Sequence, residues 1–238
     1  MKTILIALFT TLCCTAFSQQ NIINDANAEV RNVSSFSGIK VSGGIDIYLS
    51  QSDNYALAVS AAEGKYRDNI KIEIKSGVLT IWYDSEKMGW TRGDKRLKAY
   101  ISFKTLESLE ASGACDIRIN GTIEVNTLSL KLSGASDIEG SVKLNNMTME
   151  LSGASTVKIN GTAQNLKLNS SGASDLKNYD LVVENCLAVV SGASDIKITV
   201  TNSISASASG ASSLYYKGNP EKKDIATSGA SSISQRNN

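Results

Sequence analysis

The chain has 238 residues, with 24 Lys and Arg against 23 Asp and Glu, no His, one Pro and four Cys. A net charge of +1 carries no signature for nucleic acid or another polyanion, and the lack of His excludes imidazole bases and His-ligated metal sites. Aromatic residues are 6% and charged residues 20% of the chain, below the usual quarter for charge, so the expected core is aliphatic and small-residue.

The first elements are not part of a fold. Residues 1–18 have the layout of a signal peptide: Lys2, an apolar stretch from Ile4 to Phe9 with Leu12, then the small-x-small site Ala16-Phe17-Ser18 ahead of Gln19. Export is expected, to the periplasm, the outer-membrane surface or the extracellular medium. Residues 19–31 then form an N-terminal leader and residues 32–236 the folded domain. Cleavage removes Lys2 and no acid, leaving 23 basic against 23 acidic residues. A lipid anchor is not expected, because Cys13 follows Leu12 and Cys14 follows Cys13 where a small residue is needed. No later run approaches the ~18 apolar residues of a membrane span. Cys115 and Cys186, the two thiols left, are too few for a disulfide scaffold and are expected to stay unpaired.

The segment Phe36 to Leu49 alternates apolar and polar residues around Ser42-Gly43-Gly44. Ile70 to Ile74 and Val78 to Tyr83 alternate about Ser76-Gly77, the pattern of an antiparallel hairpin. A polar loop from Asp84 to Arg96 carries Trp90 among glycines and charges, where an indole could stack on a sugar or a partner; another alternating strand runs from Leu97 to Phe103. Residues 32–110 are thus expected to be a capped N-terminal part: Phe36 to Leu49 fits the coil template, with Asp46 and Ile47 three and four places after Gly43, and an insertion between Gly43 and Gly113 interrupts the coil and covers its N-terminal end with hairpins.

From residue 111 a repeat takes over. Ser-Gly-Ala recurs with its glycine at 113, 134, 153, 172, 192, 210 and 229, spaced by 18 to 21 residues. Two, four and six places before the glycines the residues are mostly apolar, as in Leu128, Leu130 and Leu132. Four places after them stand Ile117, Ile138, Val157, Leu176, Ile196, Leu214 and Ile233. Steps of two on both sides of Gly-Ala mean strands meeting at a corner. Asn120-Gly121 and Asn160-Gly161 supply a second corner in two of the units. A unit of about 19 residues cannot bury its own apolar face, so seven of them stack. The fold class is therefore all-β: a single-stranded parallel β-helix of about 19 residues per coil, with an N-terminal antiparallel hairpin cap.

Stacking turns sequence columns into surface stripes ~4.8 Å per step. Three places after each glycine come Asp116, Asp137, Thr156, Asp175, Asp195, Ser213 and Ser232; two places further come Arg118, Glu139, Lys158, Lys177, Lys197, Tyr215 and Ser234. Like charges at this spacing repel by about 1 kcal/mol per pair in water, and the basic column beside the acidic one compensates it. The bland expectation is a solvated charge ladder. A divalent cation between Asp116 and Asp137 or between Asp175 and Asp195, and a glycan or cell-surface protein read by the stripe, are the functional alternatives. The candidate binding residues are thus Asp116, Asp137, Asp175, Asp195, Arg118, Lys158, Lys177, Lys197 and Trp90. Serines flanking every Gly-Ala are expected to satisfy the corner backbone rather than act as nucleophiles, since a residue repeated in each coil is unlike a catalytic one. No catalytic residue, cofactor, resident metal or nucleic-acid partner is expected.

With these motifs in view, the chain resembles a known family, the head GIN domains of auto-transporter adhesins, exported bacterial proteins common in Bacteroidetes. The likeness rests on Phe36-x-Gly38-Ile39-x-Val41-Ser42-Gly43-Gly44-Ile45-Asp46-Ile47, on the serial Ser-Gly-Ala-Ser-Asp motifs, and on Tyr215-Tyr216-Lys217-Gly218-Asn219-Pro220 before the last Ser228-Gly229-Ala230-Ser231, and it covers residues 30 to 236 or so. The name-giving Gly-Ile-Asn stands here as Gly44-Ile45-Asp46, and Ala replaces a second Gly in each motif. The resemblance implies a right-handed β-helix and an adhesin-like, non-enzymatic role at the cell envelope. A polysaccharide lyase or hydrolase on the same scaffold, and a purely structural envelope protein, are the competing expectations.

Overall fold

The computed structural model of the protein describes residues 25–85 and 94–237. Residues 1–18, read above as an expected signal peptide, and Trp90 lie outside the described residues. The fold is all-β, a β-solenoid of about seven turns with roughly 19 residues per coil, and 63% of it is strand. In chain order the first elements are β1 (Glu29–Arg31), β2 (Gly38–Ser42), β3 (Asp46–Gln51), β4 (Ala56–Ser60), the short helix α1 (Gly64–Arg67), β5 (Ile70–Lys75), β6 (Val78–Tyr83), β7 (Lys98–Phe103) and β8 (Ser108–Ser112). The repeat region supplies β9 (Asp116–Leu132), β10 (Asp137–Leu151), β11 (Thr156–Ser170), β12 (Asp175–Leu176), β13 (Leu181–Val190), β14 (Asp195–Ala208), β15 (Ser213–Lys217), β16 (Lys222–Thr227) and β17 (Ser232–Gln235).

Every pairing among β8 to β17 is parallel and joins residues about one repeat apart: Ile117 lies beside Ile138, Ile138 beside Val157, Val157 beside Leu176 and Leu176 beside Ile196. The apolar columns face inward. From Ile117 to Leu214 the column is buried throughout, and only Ile233, in the end coil, is half-exposed. The neighbouring aspartates point outward, as the alternation requires.

The corner explains the motif. Gly134, Gly153, Gly172 and Gly192 hold φ between 76° and 80°, a region that residues with a Cβ rarely adopt. A Cβ at Gly153 would also meet the Gly134 carbonyl. That carbonyl accepts the Ala154 N–H at 2.7 Å, and the bond recurs as Ala135 to Gly113, Ala173 to Gly153 and Ala193 to Gly172, each at 2.7 Å. Glycine is needed where the backbones of successive coils come closest. From Ser136 to Ser212 the serine after Gly-Ala is buried and donates to the carbonyl of the serine three places earlier, from 2.8 Å at Ser212 to 3.1 Å at Ser136 and Ser174. The hydroxyls thus close the corner backbone as expected. Cys115 takes the serine's place in the first such coil, its Sγ 3.4 Å from the Ser112 carbonyl.

In the N-terminal part Phe36 to Leu49 joins the coil as expected, and the difference lies in how the inserted residues are used. β2 and β3 stack directly on β8 and β9, with Gly38 beside Ser108, Ser42 beside Ser112 and Ile47 beside Ile117. The intervening residues do form the expected β5–β6 hairpin about Ser76 and Gly77. Yet β6 and β7 run parallel to β2 and β3 on their outer side, with Ile39 beside Leu79 and Tyr48 beside Tyr100. The insertion therefore builds one more coil beneath the first, covered in turn by antiparallel β5 and β4, and β1 pairs with β4. The chain then crosses back over the first coil to begin β8. Gln51 ties this crossing down: its Nε2 donates to the Lys104 and Glu124 carbonyls at 3.0 Å each, and its Oε1 accepts the Glu124 N–H at 2.7 Å.

Candidate functional surface

The stripe forms in register. Its acidic column runs Asp116, Asp137, Thr156, Asp175, Asp195, Ser213 and Ser232. Two of these carboxylates bond to the coil above: Asp137 Oδ1 accepts the Thr156 N–H at 3.0 Å, and Asp175 Oδ1 accepts the Asp195 N–H at 3.3 Å. Thr156, replacing an aspartate, relieves the repulsion midway. Asp46 extends the column by one coil, and burial together with the Asp116 charge raises its carboxyl above the ordinary range.

The second column has two characters. At the N-terminal end Tyr100 stacks on Tyr48 at 4.9 Å, and Arg118 reaches the Tyr48 hydroxyl at 3.2 Å and Glu139 at 2.9 Å. The hydrogen bond to Glu139 raises the guanidinium's pKa, holding it charged. Here every charge has a partner. Further along, Lys158, Lys177 and Lys197 follow in consecutive coils. Lys177 and Lys197 pair with the aspartates two places before them, at 3.5 and 3.9 Å. Tyr215 ends the run, with Arg236 4.2 Å from its ring; the Ser213 hydroxyl and Arg236 lower its phenol pKa. Such exposed pairs are worth at most about 1 kcal/mol each, so the lysine heads can exchange these partners for a ligand's.

The structure brings together Asp116, Asp137, Asp175, Asp195, Arg118, Lys158, Lys177 and Lys197 on one face; Trp90 lies outside the described residues. Sequence reading missed Tyr48 and Tyr100. Tyr48 stands five places after Gly43 and was within reach of the same alignment, whereas Tyr100 sits in a coil stacked out of chain order. Also missed was an asparagine ladder seven places before the glycines, eight in the case of Asn202: Asn165 Nδ2 donates to Asn146 Oδ1 at 3.0 Å, Asn185 to Asn165 at 3.0 Å, and Asn202 to Asn185 at 2.8 Å. The ladder lines a shallow groove of about 510 Å³, rimmed by Lys167, Lys222 and Asp224. Among the described residues no three His, Cys, Asp or Glu side chains group as metal ligands would.

These features define a class: a single-stranded β-solenoid with serine-glycine-alanine corners, a covered first coil and a ladder-bearing surface. Residues 35–220 match the family described as "Putative auto-transporter adhesin, head GIN domain", and the chain belongs to it. The fold is similar to the crystal structure of a putative adhesin from Bacteroides fragilis, with a TM-score of 0.81 and 24% identity over 88% of this chain and 96% of that one. It is also similar to a putative lipid binding protein from Parabacteroides distasonis (TM-score 0.69, 20% identity, 89% and 98% covered) and to a putative adhesin from Parabacteroides merdae (0.63, 17%, 88% and 95%). No curated protein matches the chain. Among the described residues no helix is long and apolar enough to cross a membrane.

Proposed function

We propose that the protein is a non-enzymatic, adhesin-like binding module, exported by its first 18 residues and acting at the cell envelope through the outward stripe of its domain, residues 32–236. What supports this reading above all is the stripe's composition: tyrosines, paired ions and lysines in adjacent columns, repeated at fixed pitch over successive coils. Such a surface suits an extended ligand with its own repeat, a glycan or a cell-surface protein, better than one small molecule. The corners favour binding over catalysis, because successive Gly-Ala turns touch through 2.7 Å hydrogen bonds and leave no room at these corners for long loops that would wall a cleft. Family membership points the same way.

The test is a glycan array, and a panel of surface proteins, probed with the mature chain and with a Lys158→Glu, Lys177→Glu, Lys197→Glu variant. Binding by the mature chain that the variant loses carries the proposal. Undiminished binding by the variant moves the site off the stripe, and turnover of an acidic polysaccharide overturns the non-enzymatic reading.

A further inference from the structure

A second face of the solenoid, formed by the C-terminal stretches of β11, β13, β14 and β16, has its own pattern. One outward column there runs Lys167, Leu187, Ser205, Asp224; the next runs Asn169, Val189, Ser207, Ala226. Leu187 and Val189 are 48% and 49% exposed, two of the few large apolar side chains left open among the described residues. Toward the N-terminus the same face is sealed by alternating charges, with Lys40 paired to Glu110 at 3.1 Å and Lys131 to Glu150 at 3.7 Å. Along that column the charges stop at Glu150, and the uncharged run Asn169, Val189, Ser207 and Ala226 begins.

We infer that this patch docks a second copy of the chain, antiparallel and face to face. A two-fold axis lying in the contact plane, parallel to the strands and between β13 and β14, places β11 of one copy over β16 of the other. It also places β13 over β14. Lys167 then faces Asp224 of the second copy, Leu187 faces Ser205, and Val189 faces Ser207. One operation thus satisfies both charge and size, large side chains meeting small ones and each cation meeting an anion, twice over. Shifting the axis onto β13 sets Leu187 against Leu187 and leaves Asp224 unpaired, so the pattern fixes the register.

The contact is small. Four strands at ~4.8 Å by six residues at ~3.3 Å give roughly 400 Å² per copy, half the ~800 Å² of a stable interface. The dimer is therefore weak and concentration-dependent, a way for copies crowded on one surface to associate.

Sedimentation velocity of the mature chain, from micromolar to millimolar concentration, tests this. The expected result is a reversible rise in mean sedimentation coefficient. Lys167→Glu or Asp224→Lys alone should weaken association about tenfold or more, and the swap Lys167→Asp with Asp224→Lys should restore it, all with unchanged melting curves. A zero-length cross-linker should join Lys167 to Asp224 between isotopically distinct copies, since within one chain they are three coils, ~14 Å, apart. A chain that stays monomeric at millimolar concentration overturns the inference. So does a dimer indifferent to the reversals, or one that the swap fails to restore.

Discussion

The two ends of the solenoid meet the same physical problem differently. At the N-terminal end the coil of β6 and β7 is covered by antiparallel strands, and its interior stays apolar: Phe103, Leu79 and Ile81 are fully buried. Phe36 and Tyr55 meet edge to face at 5.1 Å. Asp25 clasps this end, accepting the Tyr100 hydroxyl at 2.8 Å with Lys98 3.8 Å away. At the C-terminal end β16 is exposed along its whole length. Its inward positions hold Lys223, Ile225 and Thr227, where the coil below holds Ile204, Ala206 and Ala208. Lys223 Nζ donates to Gln235 Oε1 at 3.1 Å, and Gln235 Nε2 donates to the Gly218 carbonyl at 2.8 Å. A covered end can keep a greasy interior, while a bare one replaces it with groups that tolerate water.

The sharpest way to break this contrast is by truncation at each end. Phe103→Ala should destabilise the protein by about 3–5 kcal/mol, because its cavity is walled on both sides, read from chemical denaturation midpoints. A loss under about 1 kcal/mol would show that the covering strands are not packed as a core.

Gly153→Ala, in the middle of the stack, should cost about 2–5 kcal/mol, since it adds a collision with the Gly134 carbonyl to an unfavourable φ. Gly77→Ala, with open space around its Cβ position, should cost only the backbone strain, roughly 1–2 kcal/mol. Equal costs for the two would remove coil-to-coil contact as the reason for the corner glycine.

The clasp predicts a pH effect at the N-terminal end. Burial alone would raise the Asp25 carboxyl, but hydrogen bonds from Tyr100, the Asn27 N–H and Ser60, with the Lys98 charge, outweigh it and leave its pKa below the ordinary 3.8. A depressed carboxylate stabilises the fold fully above its unfolded pKa, and that contribution vanishes as pH falls through the lower folded value. Asp25→Asn should therefore lower the melting temperature at neutral pH, and the difference from wild type should close in acid below that range. A difference that persists there would mean the clasp works by shape rather than charge.

The smallest effect belongs to the bare end. Ile225→Ala, at a side chain already 40% exposed, should cost less than about 1 kcal/mol. Amide exchange should be fastest in β16 and β17. Protection there equal to that of β9 and β10 would show that something covers this end in solution.

The repeat region was legible because its rule is local: period two gives the faces, glycine gives the corner, and stacking at one repeat gives the columns. Cys186 illustrates this, since its place in the leucine column predicts a buried thiol, and burial pushes its pKa up to about 12. What sequence did not disclose is stacking order. Nothing local in Val78–Tyr83 or Lys98–Phe103 says that these strands lie outside β2 and β3 instead of following them, because the choice is made by pairings 40 to 70 residues apart. The asparagine ladder was missed for another reason. Its residues are polar and sit at a bend, where a search for apolar columns does not look.

The carbonyl-to-amide contact between successive Gly-Ala corners has a further meaning. Because Gly134, Gly153 and Gly172 are spaced by 19 residues each, excising residues 153–171 joins Ser152 to Gly172 and recreates the same turn one storey lower. Length in such a molecule is counted in whole steps of ~4.8 Å, gained by duplicating a repeat and lost by deleting one. The length of the solenoid is thus a heritable integer, adjustable without redesign of either end.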